Sequence, residues 1–179
     1  MKIRLLLAGI ALALAMPVFA QEEPVIKEGQ ENVGTLVDAL TPKPAVRMRG
    51  IKVLRQEPGS PSIVSPPKVS LLITFETNSA ILTARSRQSL DVVGQALASG
   101  KLAPFRFGIE GYADPRGTST ANLKLSKQRA ESVRAYLVDT LHIDPARLDA
   151  VGKGDRELMN KVNVDAPENR RVTIVNLSN

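Results

Sequence analysis

Asp114 and Arg129 stand fifteen residues apart in the stretch FGIEGYADPRGTSTANLKLSKQRAESVRAYL, residues 107 to 137, and are the side chains best placed to hold a small charged ligand. An arginine grips a carboxylate through two parallel hydrogen bonds. The N-terminus of a helix adds its own attraction for anions. The helix that would carry Arg129 has an unusual face. Positions 122, 126, 129, 133 and 137 share one side, because 3.6 residues complete a turn. The far end of that stripe is apolar, Val133 and Leu137, whereas its beginning is Asn122, Ser126 and Arg129. A core-facing stripe that turns polar beside a turn bearing Asp114 describes the wall of a small polar site. It equally describes an internal Asp114–Arg129 salt bridge with Asn122 as a cap, and the pattern alone leaves both open.

The elements that must position this pair can be read from the same stretch. Phe105, Phe107 and Ile109 alternate with Arg106, Gly108 and Glu110, the period of a half-buried strand. Gly111 and the Asp114-Pro115-Arg116-Gly117 turn end it. The helix follows, with Thr118, Ser119 or Thr120 as its cap. Upstream, Val69, Leu71, Ile73 and Phe75 alternate with Ser70, Leu72, Thr74 and Glu76, predicting a first strand, and Asn78-Ser79 turn the chain. A helix capped by Thr83 should run to about Ala98 and pack through Leu90, Val93, Gly94 and Leu97, with Gly100 just beyond its end. Downstream, strands are predicted over about 148–153 and 171–177, joined by a polar stretch from Asp155 to Glu168. Strands separated by helices imply an α/β (α+β) sandwich with helices on one face of the sheet.

The residues before Val69 read differently. Lys2 and Arg4, the apolar run Leu5 to Met16 and the small-residue site Val18-Phe19-Ala20 form a secretory signal peptide, residues 1–20, with Gln21 as the mature start. The run is short for a membrane span of about 20 residues. Residues 21–68 form an N-terminal extension and basic linker. Val33, Leu36, Val37 and Leu40 have helical spacing and predict a short amphipathic helix, docked on the domain or on a partner, or only loosely ordered. Residues 41–68 hold six of the twelve prolines and six basic residues against Glu57 alone, the composition of a semi-extended tether.

Composition excludes several classes of function. There is no cysteine, so no disulfide forms and none is available to carry a lipid. Without Lys2 and Arg4, 22 basic residues face 18 acidic ones, a net charge of +4. Export and a 3% aromatic content argue against nucleic acid as the partner. Polyanionic envelope material, either peptide stems with free carboxylates or lipid head groups, fits better, and solubility alone is the other account of the charge. His142 is the single histidine, and no G-x-S-x-G elbow or H-E-x-x-H pair accompanies it. The sequence therefore predicts a chain that is not an enzyme, with no metal and no cofactor. Gly152-Lys153-Gly154 reads as a turn at a strand end.

The combined spacing carries a resemblance. Gly111-Tyr112-Ala113-Asp114, Gly117, Asn122, Leu125-Ser126, Arg129-Ala130, Val133, Gly152-Lys153-Gly154 and Asn169-Arg170-Arg171-Val172 match the pattern of the OmpA-like peptidoglycan-binding domain. Phe75 and Asn78-Ser79 are similar to that family's first strand and turn. Tyr112-Ala113 stand where the family has His-Thr, and Glu76 where many members have Asp. The match covers residues 69–179 and implies a βαβαββ-type domain with a mixed sheet. It also implies noncovalent binding of the peptidoglycan stem peptide through meso-diaminopimelate. The motif acid, here Asp114, takes the ligand's ammonium, and the motif base, here Arg129, its carboxylate. The resemblance further implies supporting contacts from Phe75, Glu76, Asn122 and Leu125, with Arg170 or Arg171 contributing, while Ser126 bonds back to the preceding turn. The implied setting is the periplasm, with residues 21–68 free to engage an envelope protein. An adaptor subunit of a secretion or motility machine is the alternative role.

Overall fold

A computed structural model describes residues 24–43, 65–76 and 79–177; the predicted signal peptide, Asn78 and most of the proline-rich linker lie outside the described residues. Five strands form one mixed sheet in the order β1-β2-β5-β3-β4: β1 Val25–Ile26, β2 Lys68–Leu71, β3 Phe107–Tyr112, β4 Leu148–Gly154 and β5 Val172–Asn176. β5 is antiparallel to both β2 and β3, and β3 and β4 are parallel. Three helices, α1 Val33–Leu40, α2 Ala84–Ala98 and α3 Ser119–Ala135, pack on one face. From β2 onward the order is βαβαββ with a mixed sheet, as the sequence predicts. The core joins inward-facing Val69, Leu71, Phe107, Ile109, Val172 and Ile174 to Leu90, Val93 and Leu97 of α2 and Val133 and Leu137 beyond the polar start of α3.

The caps are where the sequence put them. The Thr83 hydroxyl accepts from Ser86 N (3.2 Å) and the Thr118 hydroxyl from Ala121 N (3.2 Å). α3 widens into a π turn over Tyr136–Thr140, and exposed His142 takes a positive φ of 56° just past its end.

Two strands are shifted from their alternation patterns. The first ends at Leu71 rather than continuing to Glu76, because the chain bends out of the sheet: Ile73 N bonds Leu71 O (3.0 Å) and Thr74 N bonds the Ser86 hydroxyl (3.0 Å). Phe75 then makes only an isolated bridge with Leu82. β3 begins two residues after Phe105 and runs through Gly111 to Tyr112, where the sequence reading placed a stop. Gly111 continues the strand because β5 pairs it on one side and β4 on the other.

Those glycines serve close packing. A Cβ on Gly111 would meet the Ser126 carbonyl, and one on Gly152 would lie 2.6 Å from Lys127 N and 2.8 Å from Leu123 O. Only hydrogen at these positions lets α3 lie directly on β3 and β4. Gly152 is thus part of β4 and a helix seat, not the strand-end turn read from sequence.

The amphipathic helix predicted within the extension is α1, and it is docked on the domain. Asn32 caps it, accepting from Gly34 N (2.9 Å). Leu36 and Leu40 are each 1% exposed, and Asn176 Nδ2 of β5 donates to Leu40 O (2.9 Å). β1 adds parallel to β2, with Val25 opposite Ser70 and Ile26 opposite Leu71, a strand the sequence reading did not foresee.

Leu36→Ala should cost about 2–5 kcal/mol, the usual loss for emptying a buried leucine site, and Gly111→Ala about 1–3 kcal/mol from overpacking against backbone. Urea unfolding followed by circular dichroism measures both, and a Leu36→Ala midpoint equal to wild type would show that α1 is not part of the folding unit.

Candidate functional site

The end of the sheet where β3 leads into α3 carries the charged residues. Asp114 lies two residues beyond β3 in the turn and is 6% exposed. Its Oδ2 accepts from Arg116 Nη2 (2.6 Å), Arg116 Nε (3.0 Å) and Arg170 Nη1 (2.9 Å), while Oδ1 accepts only from Arg116 N (3.4 Å). Burial alone would raise this carboxyl, but the hydrogen bonds from Arg116 and Arg170 outweigh it and hold the group below its ordinary range.

Arg129 sits on the third turn of α3, half-buried. Its Nε donates to Ser79 O (3.1 Å), and its guanidinium carbon lies 4.9 Å from the centre of the Phe75 ring, within cation–π range. Among the described residues no carboxylate pairs with it and neither Nη is hydrogen-bonded. Burial pulls its pKa down, partly opposed by the field of Asp114, yet an arginine remains charged at any physiological pH. The internal Asp114–Arg129 salt bridge allowed by the sequence is therefore not formed: Asp114 takes two other arginines, and Arg129 keeps its outer donors.

Arg129 lines a cavity of about 680 Å³, together with Phe75, Arg170 and Pro167 among others. Asp114 does not line it, but bonds Arg170, which does. The other sequence-predicted residues are placed apart. Asn122 is buried at the start of α3 and donates through Nδ2 to Asp155 Oδ2 (3.0 Å), which Ser119 also contacts (3.0 Å). That bond, the largest influence on Asp155, helps hold its carboxyl below the ordinary value. Leu125 is half-buried on α3 and Glu76 is exposed, neither lining the cavity. Arg171 points to the helix-free face, its guanidinium carbon 3.7 Å from the centre of the Tyr112 ring, beside the Glu157 and Glu168 carbonyls. Of the two motif arginines, Arg170 thus reaches the cavity. Ser126 bonds Leu123 O and accepts from Gly154 N (both 2.9 Å), the structural role expected of it.

Three contributors were missed. Arg116 could have been found, since an Asp two residues before a basic side chain in a D-P-R-G turn invites an Asx-type contact. Arg85, and the segment Lys27–Gln30 that lines the opposite side of the cavity, had no comparable local signal.

With this geometry in view, comparison with known proteins is decisive at family level. The model of the OmpA family matches residues 74–171. The chain belongs to the OmpA family. Outer membrane protein A of Bordetella avium is 35% identical over 70% of this chain and 64% of its own length. The chain therefore spans somewhat under two thirds of that curated relative. Among solved structures, the peptidoglycan-associated lipoprotein of Burkholderia pseudomallei is 29% identical with a TM-score of 0.50, over 60% of this chain and 88% of that one. The cell wall anchor of the T6SS from Pseudomonas aeruginosa is 27% identical with a TM-score of 0.51, over 63% and 81% of the two chains. The relatives are thus outer membrane, lipoprotein and wall-anchor proteins of the Gram-negative envelope. Among the described residues of this chain, no helix is long and apolar enough to cross a membrane.

The site predicts a pH signature. A depressed carboxyl contributes stability that is fully present above its unfolded value near ~3.9 and is lost as pH falls through the lower folded value. Asp114→Asn should therefore be less stable than wild type at pH 7, with the difference shrinking below about pH 4. Denaturant midpoints measured from pH 7 to pH 2 test this, and a difference that stays constant across the range would show that the ion pairs add nothing.

Proposed function

We propose that this OmpA-family domain binds peptidoglycan noncovalently, through the diaminopimelate residue of the stem peptide, as a non-catalytic wall-binding protein of the periplasm. The observation that carries this reading is Arg129: charged, half-buried, held by Ser79 and Phe75, lining a cavity, with no Nη hydrogen bond and no carboxylate partner among the described residues. A buried cation is costly to leave uncompensated, and a ligand carboxylate compensates it with bidentate geometry. Diaminopimelate carries an amine and a carboxylate on its side-chain end. The ammonium would go to Asp114, whose Oδ1 is weakly engaged. Arg116, 63% exposed at its side chain, can swing into solvent and yield its place, so that one cation replaces another and the carboxylate stays matched. Phe75 and Arg170 complete the contact surface.

The names of the relatives support the same reading, since one is a peptidoglycan-associated lipoprotein and another a cell wall anchor. The likeness to the T6SS anchor also favours a second reading, in which the chain is an adaptor subunit of an envelope machine and residues 21–68 contact a protein partner. The apolar face of α1 is committed to the domain core, so that contact would fall elsewhere in the extension.

Co-sedimentation of the mature chain with purified peptidoglycan tests the primary reading. Wild type should pellet, whereas Asp114→Ala and Arg129→Ala, shown to be folded by circular dichroism, should bind about ten- to hundredfold more weakly, the loss of one charge-assisted contact worth ~1.5–3 kcal/mol. Folded variants that pellet like wild type would remove the site from wall binding.

A further inference from the structure

The cavity has a second cationic end that one diaminopimelate side chain does not use. It is built by Lys27, in the turn between β1 and α1, and by Arg85 on the first turn of α2. Gly29 gives the turn its shape, with φ +84° and a bond from Gln30 N to Lys27 O (2.9 Å); a side chain there would also press on Arg85 Nη2 at 3.3 Å. Glu28 clips the turn to the domain. Its carboxylate accepts from the Ser86 hydroxyl (2.6 Å) and the Thr74 hydroxyl (3.0 and 3.1 Å), and its side chain is 10% exposed. The negative charge of Glu28 is thereby turned inward, away from a ligand.

Arg85 repeats the arrangement of Arg129. One nitrogen, Nη2, is pinned to a backbone carbonyl, that of Glu28 (3.1 Å), and Nε lies 3.7 Å from the Glu28 carboxylate. An arginine has five N–H donors, so most of Arg85 remains available. Lys27 is exposed, and its ammonium makes no hydrogen bond or ion pair with any described residue. Four cations, Lys27, Arg85, Arg129 and Arg170, thus border the cavity, while the nearby carboxylates, Glu28 and Asp114, are already hydrogen-bonded. A volume of about 680 Å³ falls within the ~300–1,000 Å³ that accommodates a drug-sized ligand, more than the end of one amino-acid side chain needs.

We propose that Lys27 and Arg85 form a second anion subsite, which reads another free carboxylate of the same stem peptide and makes the protein selective for unamidated stems. The inference rests on the stem-peptide reading above. Two groups of the ligand could supply this carboxylate: the main-chain carboxylate of the diaminopimelate residue, or the α-carboxylate of the glutamyl residue before it.

Isothermal titration of the full mature chain with three synthetic stem tripeptides separates the cases: the free acid, the form amidated at the diaminopimelate main-chain carboxylate, and the form amidated at the glutamyl α-carboxylate. Wild type should bind the free acid about two- to fivefold more tightly than one of the two amides, the range expected for solvent-exposed charge pairs, and that amide identifies the source. Lys27→Gln and Arg85→Gln should each bind the free acid more weakly and the discriminating amide as wild type does. Lys27→Gln removes no side-chain hydrogen bond or ion pair with a described residue, so a loss there is not a folding effect. If both variants bind the free acid like wild type, or if wild type ranks all three peptides equally, the second subsite is wrong. Arg129→Ala separates this from the parent reading: loss of all three peptides in that variant with no effect of Lys27 or Arg85 leaves diaminopimelate binding standing without the second subsite. Failure of wild type to bind any of the peptides overturns both.

Discussion

The contact between α3 and the two strands beneath it fixes everything at the site. The Ser126 carbonyl and the backbone of Leu123 and Lys127 occupy the space that side chains would fill at Gly111 and Gly152. Interiors packed to crystal-like density do not absorb a displaced helix gently, so this seat sets the height and rotation of α3 over the sheet. Asp114 belongs to the turn leaving β3 and Arg129 to the third turn of α3. Their separation is therefore decided by backbone packing rather than by their own attraction. That is how two opposite charges can be held near one another without pairing, which side-chain preference alone would not achieve.

Charge balance explains which group is satisfied and which is not. Asp114 sits among Arg116, Arg129 and Arg170, and a carboxylate with two oxygens cannot be shared equally by three guanidinium groups in these positions. Arg116 and Arg170 take it, and the backbone bond to Ser79 holds Arg129 back. The surplus positive charge is left at the cavity rather than at the helix-free face, where Glu110 instead accepts from Tyr112 OH (2.7 Å) and pairs with Lys153 (3.2 Å). Lys153 shows the balance there: burial would depress its ammonium, but the hydrogen bond it donates to Glu110, with the charges of Glu110 and Glu157, outweighs burial and raises it. On the helix-free face Glu110 and Lys153 satisfy each other; the cavity leaves a cation over, the charge arrangement that the proposed anion site requires.

The fold was legible wherever the signal was local. Thr83 and Thr118 cap the helices because a hydroxyl at that position satisfies a free backbone donor, and the packing face of α2 follows from helical spacing. Of the motif residues, Arg129 and Phe75 meet, 4.9 Å from guanidinium carbon to ring centre, whereas Asp114 is engaged by Arg116 and Arg170. Long-range partners were not legible. Arg170 and Arg171 are adjacent and chemically identical in sequence, yet strand alternation sends one to the cavity and the other onto Tyr112. Asn122 was read as a site residue, but its partner is Asp155, 33 residues away, in a stretch whose polar composition says nothing about which residue will be chosen. Gly152 looked like a turn because what requires it, a helix backbone, comes from elsewhere in the chain.

The extension shows the same limit most clearly and links the core to the cavity. Nothing in Lys27-Glu28-Gly29-Gln30 signals a contact with residues 46 and 58 positions later, yet Glu28 reaches Thr74 and Ser86. Ser86 is itself buried, and its hydroxyl also lies 2.5 Å from Thr74 O, an alternative acceptor for its one proton, so the bend that ends β2, the start of α2 and the turn of the extension meet at one hydroxyl. A carboxylate is well suited to that position, because it lies beside the N-terminus of α2, where free amides favour negative charge. α1 then anchors the following residues in the core through Leu36 and Leu40. With the turn held at both ends, by Glu28 on one side and α1 on the other, Lys27 and Gly29 form a fixed wall of the cavity. The segment that composition describes as an appendage thus contributes to the sheet, the core and the surface that a ligand would meet.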